Sequence, residues 1–160
     1  MTPLSIRRVV TGHDANGHAI VQIDDLSPNV VSQRPNQQAT VVWTTVGFPV
    51  DNSGTSDDAL RKVSTSDRNG TVFRIVYYGP GVAPRNHRTD SIDYAVVISG
   101  EIDMTLDDGV TVHLKQGDVL VQRGTIHNWV NNGTEPCVIA FSLIGAEPVV
   151  AAGKSLDPIG

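Results

Sequence analysis

Gly81-Val82-Ala83-Pro84-Arg85-Asn86-His87-Arg88-Thr89-Asp90-Ser91-Ile92-Asp93, closed by Gly100, carries an imidazole and a carboxylate in strand-like sequence between glycines. A second segment answers it: Gly117-Asp118, then Gly124-Thr125-Ile126-His127, then Asn131. Residues two apart on a strand share a face, so an extended segment points His87, Thr89, Ser91 and Asp93 the same way. That face continues onto Ala95 and Val97, and a carboxylate among apolar neighbours needs a compensating partner. A metal ion is one candidate partner; an arginine such as Arg85, Arg88 or Arg123 is the other. His127 shares its face with Trp129 and Asn131, which sets an aromatic wall beside the same place. Two imidazoles and a carboxylate suit a borderline divalent cation and leave coordination positions open for chemistry. His87, Asp93 and His127 are therefore the candidate metal ligands.

Outward from these segments the pattern is strand after strand. Thr71 to Tyr78 is β-branched and aromatic and stops at Gly79-Pro80-Gly81. Ile92 to Ile98 is closed by Ser99-Gly100, and Glu101 to Leu106 alternates with Ile102, Met104 and Leu106 on one face. Asp107-Asp108-Gly109 then turns the chain into Val110 to Lys115, a hairpin in which Asp-Gly supplies the positive φ values. Short strands follow at Val119 to Val121, Thr125 to Val130 and Cys137 to Ile144. Even spacing of this kind predicts an all-β sandwich or barrel, in which closure removes exposed edges. The triplets at Asn69 and Asn132 read as Asn-Gly turns with positive φ rather than as glycosylation sites.

The first 70 residues are less regular. Ile6 to Thr11, Ala19 to Ile23 and Thr40 to Val46 read as strands, with polar Pro-containing stretches between them and one helical turn near Asp57 to Lys62. Too few apolar residues are present there for a separate core. Residues 1–70 are expected to be an arm with strands packing on the barrel or on a partner subunit, 71–144 the barrel, and 145–160 a C-terminal tail.

Composition sets the outer limits. The chain of 160 residues is 39% hydrophobic and 18% charged with a formal charge of −5, ordinary for one globular domain. The acidic balance and the lack of a Lys/Arg stripe argue against nucleic acid as a partner. No apolar run is long enough to cross a bilayer or to serve as a signal peptide. The lone Cys137 leaves no internal disulfide and no Cys-based zinc site, which fits a cytoplasmic location.

The two segments resemble the two motifs of the cupin superfamily. Gly81, His87, Thr89, Asp93 and Gly100 match the first motif in spacing; Gly117, Gly124, His127 and Asn131 match the second. The departures are Thr89 where the family has a second histidine, Asp93 for glutamate, and a second motif one residue short, with Arg123 where proline is usual. The resemblance implies a jelly-roll β-barrel (a double-stranded β-helix), one bound divalent ion (Fe(II) or Zn first, Mn or Ni as further candidates), a small-molecule substrate and a homodimer. With the second histidine replaced, the ligand set shrinks to His87, Asp93 and His127, formally a two-His-one-carboxylate triad.

The expected function is a metal-dependent enzyme acting on a small oxygenated organic molecule, first a non-haem Fe(II)-type dioxygenase. A lyase or isomerase (decarboxylase or dehydratase) and a non-catalytic small-molecule-binding barrel are the alternatives. Arg88 and Thr89 are the candidate catalytic residues, Thr89 as a hydrogen-bond partner for a metal-bound water. Arg85, Tyr94 and Trp129 are the candidate substrate contacts; Arg85 and Arg88 bracket His87, where guanidiniums can clamp a carboxylate.

Overall fold

Thr71 to Tyr78 is β-branched and aromatic, and in the computed structural model, which describes residues 4–160, it becomes an inner strand of a six-stranded antiparallel sheet. In chain order the strands are β1 (Arg7–His13), β2 (Ala19–Leu26), β3 (Val31–Arg34), β4 (Gln37–Val46), β5 (Gly70–Tyr78), β6 (Ser91–Ser99) and β7 (Glu101–Thr105). They continue with β8 (Thr111–Lys115), β9 (Val119–Arg123), β10 (Asn128–Val130), β11 (Cys137–Gly145), β12 (Val149–Ala151) and β13 (Lys154–Leu156). The large sheet runs β3-β4-β5-β11-β6-β9 and the small one β10-β7-β8, while β1-β2 and β12-β13 are separate hairpins. Among the described residues, helix is confined to two short 3-10 turns, at Asp58–Leu60 and Asp107–Gly109.

Side-chain alternation decides what lies between the sheets. β11 turns Cys137, Ile139, Phe141 and Leu143 inward, β5 adds Val72, Val76 and Tyr78, and β6 adds Ala95 and Val97. The small sheet closes over them with Ile102 and Met104 from β7, Leu114 from β8 and Trp129 from β10. Each such aliphatic or aromatic side chain removed from water contributes about 1.5–3 kcal/mol, which makes this seam the main stabilising element.

Turn chemistry fixes the registers. Asp108 and Gly109 both take positive φ, with the Val110 N–H donating to the Asp107 carbonyl, which is the mirror-image turn expected of Asp-Gly. The Asn-Gly expectation fails at both places, since neither Asn69 nor Asn132 has positive φ. Gly70 is required for a different reason: it lies so close to the Thr45 carbonyl that a Cβ would collide with it.

Three strands escape the pattern: β3, β12 and β13. β3 is mostly polar (Val31-Ser32-Gln33-Arg34) and exists through its pairing with β4, a non-periodic signal. With β4 it extends the large sheet, so residues 1–70 contribute two barrel strands as well as the β1-β2 hairpin.

Candidate active site

The two glycine-bounded segments meet through one antiparallel bridge. The His87 N–H donates to the His127 carbonyl and the His127 N–H to the His87 carbonyl, both at 3.0 Å. Residues exchanging such a pair of bonds face each other directly, so their side chains leave the same side of the backbone. The imidazole centroids are consequently 4.1 Å apart. Gly81, at positive φ, starts the first segment and donates its N–H to the Asn131 carbonyl, tying it to the second.

Each histidine is locked in one tautomer. His87 Nδ1 lies 3.0 Å from the Arg85 carbonyl and His127 Nδ1 lies 3.0 Å from the Thr125 carbonyl. A carbonyl only accepts, so both Nδ1 atoms carry the proton and both Nε2 atoms present lone pairs. Burial pushes the His127 pKa down to about 4, helped by the neighbouring His87 ring; burial also lowers His87. At neutral pH the pair is two uncharged nitrogen donors. Trp129 packs edge-on against His127, with ring centroids 6.0 Å apart.

Asp93 and both histidines line one cavity of about 230 Å³, together with Arg34, Gln37, Arg74, Tyr78, Arg85, Trp129 and Phe141. Three residues of the expected shared face, Thr89, Ser91 and Asp93, are joined by hydroxyl contacts. Thr89 Oγ1 is 2.8 Å from Ser91 Oγ, and Ser91 Oγ donates to Asp93 Oδ1 at 2.6 Å. Desolvation raises the Asp93 pKa to about 6, against the lowering effects of Ser91 and Arg74. An arginine does offset this buried carboxylate, but it is Arg74 of β5; Arg123 is exposed on the edge strand.

Chemically the donors fit a divalent cation: two bare imidazole nitrogens side by side, held from behind by backbone carbonyls, as metal-binding histidines require. Among the described residues, however, no three His, Cys, Asp or Glu side chains gather closely enough to hold an ion. His87 and His127 are brought together, and Asp93 faces the same space without joining them. The physical reason lies in reach: aspartate is one methylene shorter than the glutamate of the motif, and Ser91 holds its carboxylate on its own strand.

Of the other candidates, Arg85 and Trp129 line the cavity. Thr89 bonds Ser91. Arg88 faces away: it donates to the Asp157 carbonyl at 3.2 Å, and its backbone pairs with Ile159 of the C-terminal segment. Tyr94 is half exposed on the outer face of β6, because it alternates with Asp93. Asn131 is structural, donating to the Tyr78 and Glu135 carbonyls at 2.9 Å. The residues that sequence reasoning missed are Arg34, Gln37, Arg74 and Tyr78. Arg74 had a signal, since it stands in phase with Val72, Val76 and Tyr78 on the inward face of β5. Arg34 and Gln37 had none.

With this geometry in place, comparisons with known proteins become informative. A family model described as "Cupin domain" matches residues 74–143. The chain is 32% identical over 157 residues to the cupin-domain-containing oxidoreductase fogC of Aspergillus ruber, covering 94% of this chain and 77% of that protein. It is 39% identical over 162 residues to the phomopsin biosynthesis cluster protein C' of Diaporthe leptostromiformis, covering 95% and 85% respectively. Among solved structures, the Cnp3 cupin domain of Schizosaccharomyces pombe superposes with a TM-score of 0.53 at 14% identity over 87% of each chain, a likeness of fold.

Proposed function

The chain belongs to the cupin superfamily, and from that premise we propose that it is an oxidoreductase in which His87 and His127 hold one divalent ion and a small oxygenated organic molecule reacts beside them. The observation that carries this is the pair of Nε2 lone pairs on one cavity wall, each imidazole oriented by a backbone carbonyl. Support comes from the relatives that cover most of this chain and are named oxidoreductases. An ion bound there supplies Lewis acidity and, if it is iron, the one-electron steps of O2 chemistry; an iron-dependent dioxygenase is the specific form we favour.

The chain's own groups define what happens around that centre. Trp129 and Phe141 keep bulk water from the imidazoles, which strengthens the electrostatics of the cavity. Ser91 fixes Asp93 by donating to Oδ1, which leaves Oδ2 to hold or release a proton. Thr89 completes that relay through Ser91. A carboxylate titrating near pH 6 beside the cavity also suits proton transfer, so a lyase or isomerase step is the second reading.

Elemental analysis of protein purified without a chelator or a histidine tag tests the proposal. The expected result is about one divalent ion per chain, falling roughly tenfold in His87→Ala and in His127→Ala. Substoichiometric metal that is unchanged in both variants overturns it. Turnover that continues under strict anaerobiosis selects the lyase reading over the dioxygenase.

A further inference from the structure

The cavity that holds the histidines is positively charged in an unusual way. Three guanidiniums line it: Arg34 at the end of β3, Arg74 on β5 and Arg85 before His87. All three act on the Tyr78 phenol, pulling its pKa down against the burial that raises it, and Arg34 and Arg85 both act on His87. They therefore surround one part of the cavity.

Neither Arg34 nor Arg74 has an ion-pair partner among the described residues, whereas Arg7, Arg8, Arg61 and Arg68 all do. Arg85 Nη2 donates to an oxygen of Gly160 at 2.5 Å, whereas Arg34 and Arg74 are aimed by backbone carbonyls: Arg34 Nη1 donates to Ala83 at 2.7 Å and Arg74 Nη2 to Ser64 at 2.8 Å. Carbonyl contacts orient a guanidinium without neutralising it. Arg74 Nε is buried with no acceptor. The carboxylate lining the space, Asp93, acts on Arg74 through its charge and leaves Arg34 without a carboxylate of its own.

Buried guanidiniums with so little counter-charge as Arg34 and Arg74 are costly, and repulsion between Arg34 and Arg85 adds to the cost. An incoming anion removes it. Planar guanidinium forks match a carboxylate in particular, through paired N–H···O bonds. Gln37 adds a second demand, since its buried Oε1 in the same wall has no donor. We propose that the substrate is a small organic carboxylate, its carboxylate held by Arg34 and Arg74 with Arg85 adding positive charge beside them, and a hydroxyl or N–H of its body donating to Gln37 Oε1, which leaves the rest of the molecule against His87 and His127. This names the substrate class for the site described above and rests on that cavity being where reaction occurs. Its strongest grip comes from residues 34 and 74, which lie on strands far apart in sequence.

Acetate and benzoate, each against its neutral amide, serve as probes, with binding to the purified full chain followed by calorimetry and by quenching of tryptophan fluorescence. The expectation is that each carboxylate binds at least about tenfold more tightly than its amide. Arg74→Met and Arg34→Met each weaken carboxylate binding by about tenfold and leave amide binding unchanged. Arg34 sits half-buried on an edge strand, so its variant keeps the test open if Arg74→Met fails to fold. Carboxylate and amide binding equally well, or an unchanged carboxylate affinity in folded Arg34→Met, overturns the inference. Repeating the titration after chelator treatment and in His127→Ala separates the two proposals. Carboxylate preference that survives loss of the ion leaves the anion site standing even where the metal reading falls. Full metal content without carboxylate preference removes the anion site alone.

Discussion

Strand β11 buries Cys137, Ile139, Phe141 and Leu143 between two sheets, whereas the β1-β2 hairpin leaves Val9, Val21 and Leu26 at least half exposed and buries an arginine. Arg8, with 1% of its side chain accessible, reaches Asp25 at 2.8 Å and Asp57 at 2.6 Å. Asp57 in turn caps the 3-10 turn at Asp58–Leu60 through the Ala59 N–H. Nearby, Asn29 donates to the Ala59 carbonyl at 2.6 Å and accepts from Thr40 Oγ1 at 2.8 Å. The barrel is held by apolar area and the hairpin by a few directional polar contacts. Area is collective and tolerant of small changes in position; a clamp depends on one residue and on pH. The cavity belongs to the barrel alone: β3 and β4, which extend its large sheet, bring Arg34 and Gln37 to the wall, and no residue of the β1-β2 hairpin lines it.

The sharpest way to break this contrast is to cut into the barrel seam. Ile139→Ala removes three buried carbons where the neighbours cannot collapse, and is expected to cost about 2–5 kcal/mol in a cooperative chemical denaturation. A loss below 1 kcal/mol by that measure would mean that the seam does not dominate stability.

Asp93 is the exception that sharpens the rule, a carboxylate on the apolar side of β6. Its folded pKa is raised, so the ionised form is the disfavoured one. Stability is full below the ordinary carboxylate range, declines as pH climbs through about 6, and stays reduced above it. Asp93→Asn, measured with chelator present, is expected to gain about 1–3 kcal/mol at pH 8 and nothing at pH 4. Equal gains at both pH values would show that burial is not what perturbs this group.

Arg8→Met should act locally. Roughly 1–2 kcal/mol is lost, and amide exchange accelerates in residues 7–26 while β5 and β11 stay protected. Acid should imitate the substitution. Asp57 is held below its usual range by Arg8, so its contribution is fully present above the unfolded carboxylate value and disappears as pH falls through the lower folded one. Exchange protection lost from β11 at the same rate would tie the two regions into one cooperative unit.

The smallest effect belongs to the exposed hairpin face. Val21→Thr is expected to shift the thermal midpoint by no more than about 0.5 kcal/mol equivalent. A larger destabilisation would reveal that this face is covered, as in the homodimer that the family resemblance implies.

Legibility followed the same division. Within 71–144 every strand was located, by alternation where one face is buried (Glu101 to Leu106 and Val110 to Lys115) and elsewhere by β-branched or apolar runs between turn residues. The same rule placed His87, Thr89, Ser91 and Asp93 on one face; the hydroxyl relay joins the last three, while His87 is set by its bridge to His127. Applied strictly, it would also have excluded Tyr94 from the cavity, since adjacent residues on a strand face opposite ways. It could not find β3, whose side chains are mainly polar and whose partner is an edge pairing with β4.

Local sequence alone settled the period of each strand, the Asp108-Gly109 turn and the chemical types available to a site, because these depend on neighbours within a few residues. Only the tertiary structure decided that His87 and His127 form a backbone-bridged pair, that Asp93 stands apart from them, and that Arg34 and Arg74 face the same space. Those relations are set by how the strands pair and how the two sheets close. Distances of that kind between side chains are properties of the packed sheets and are not encoded in any single stretch of chain.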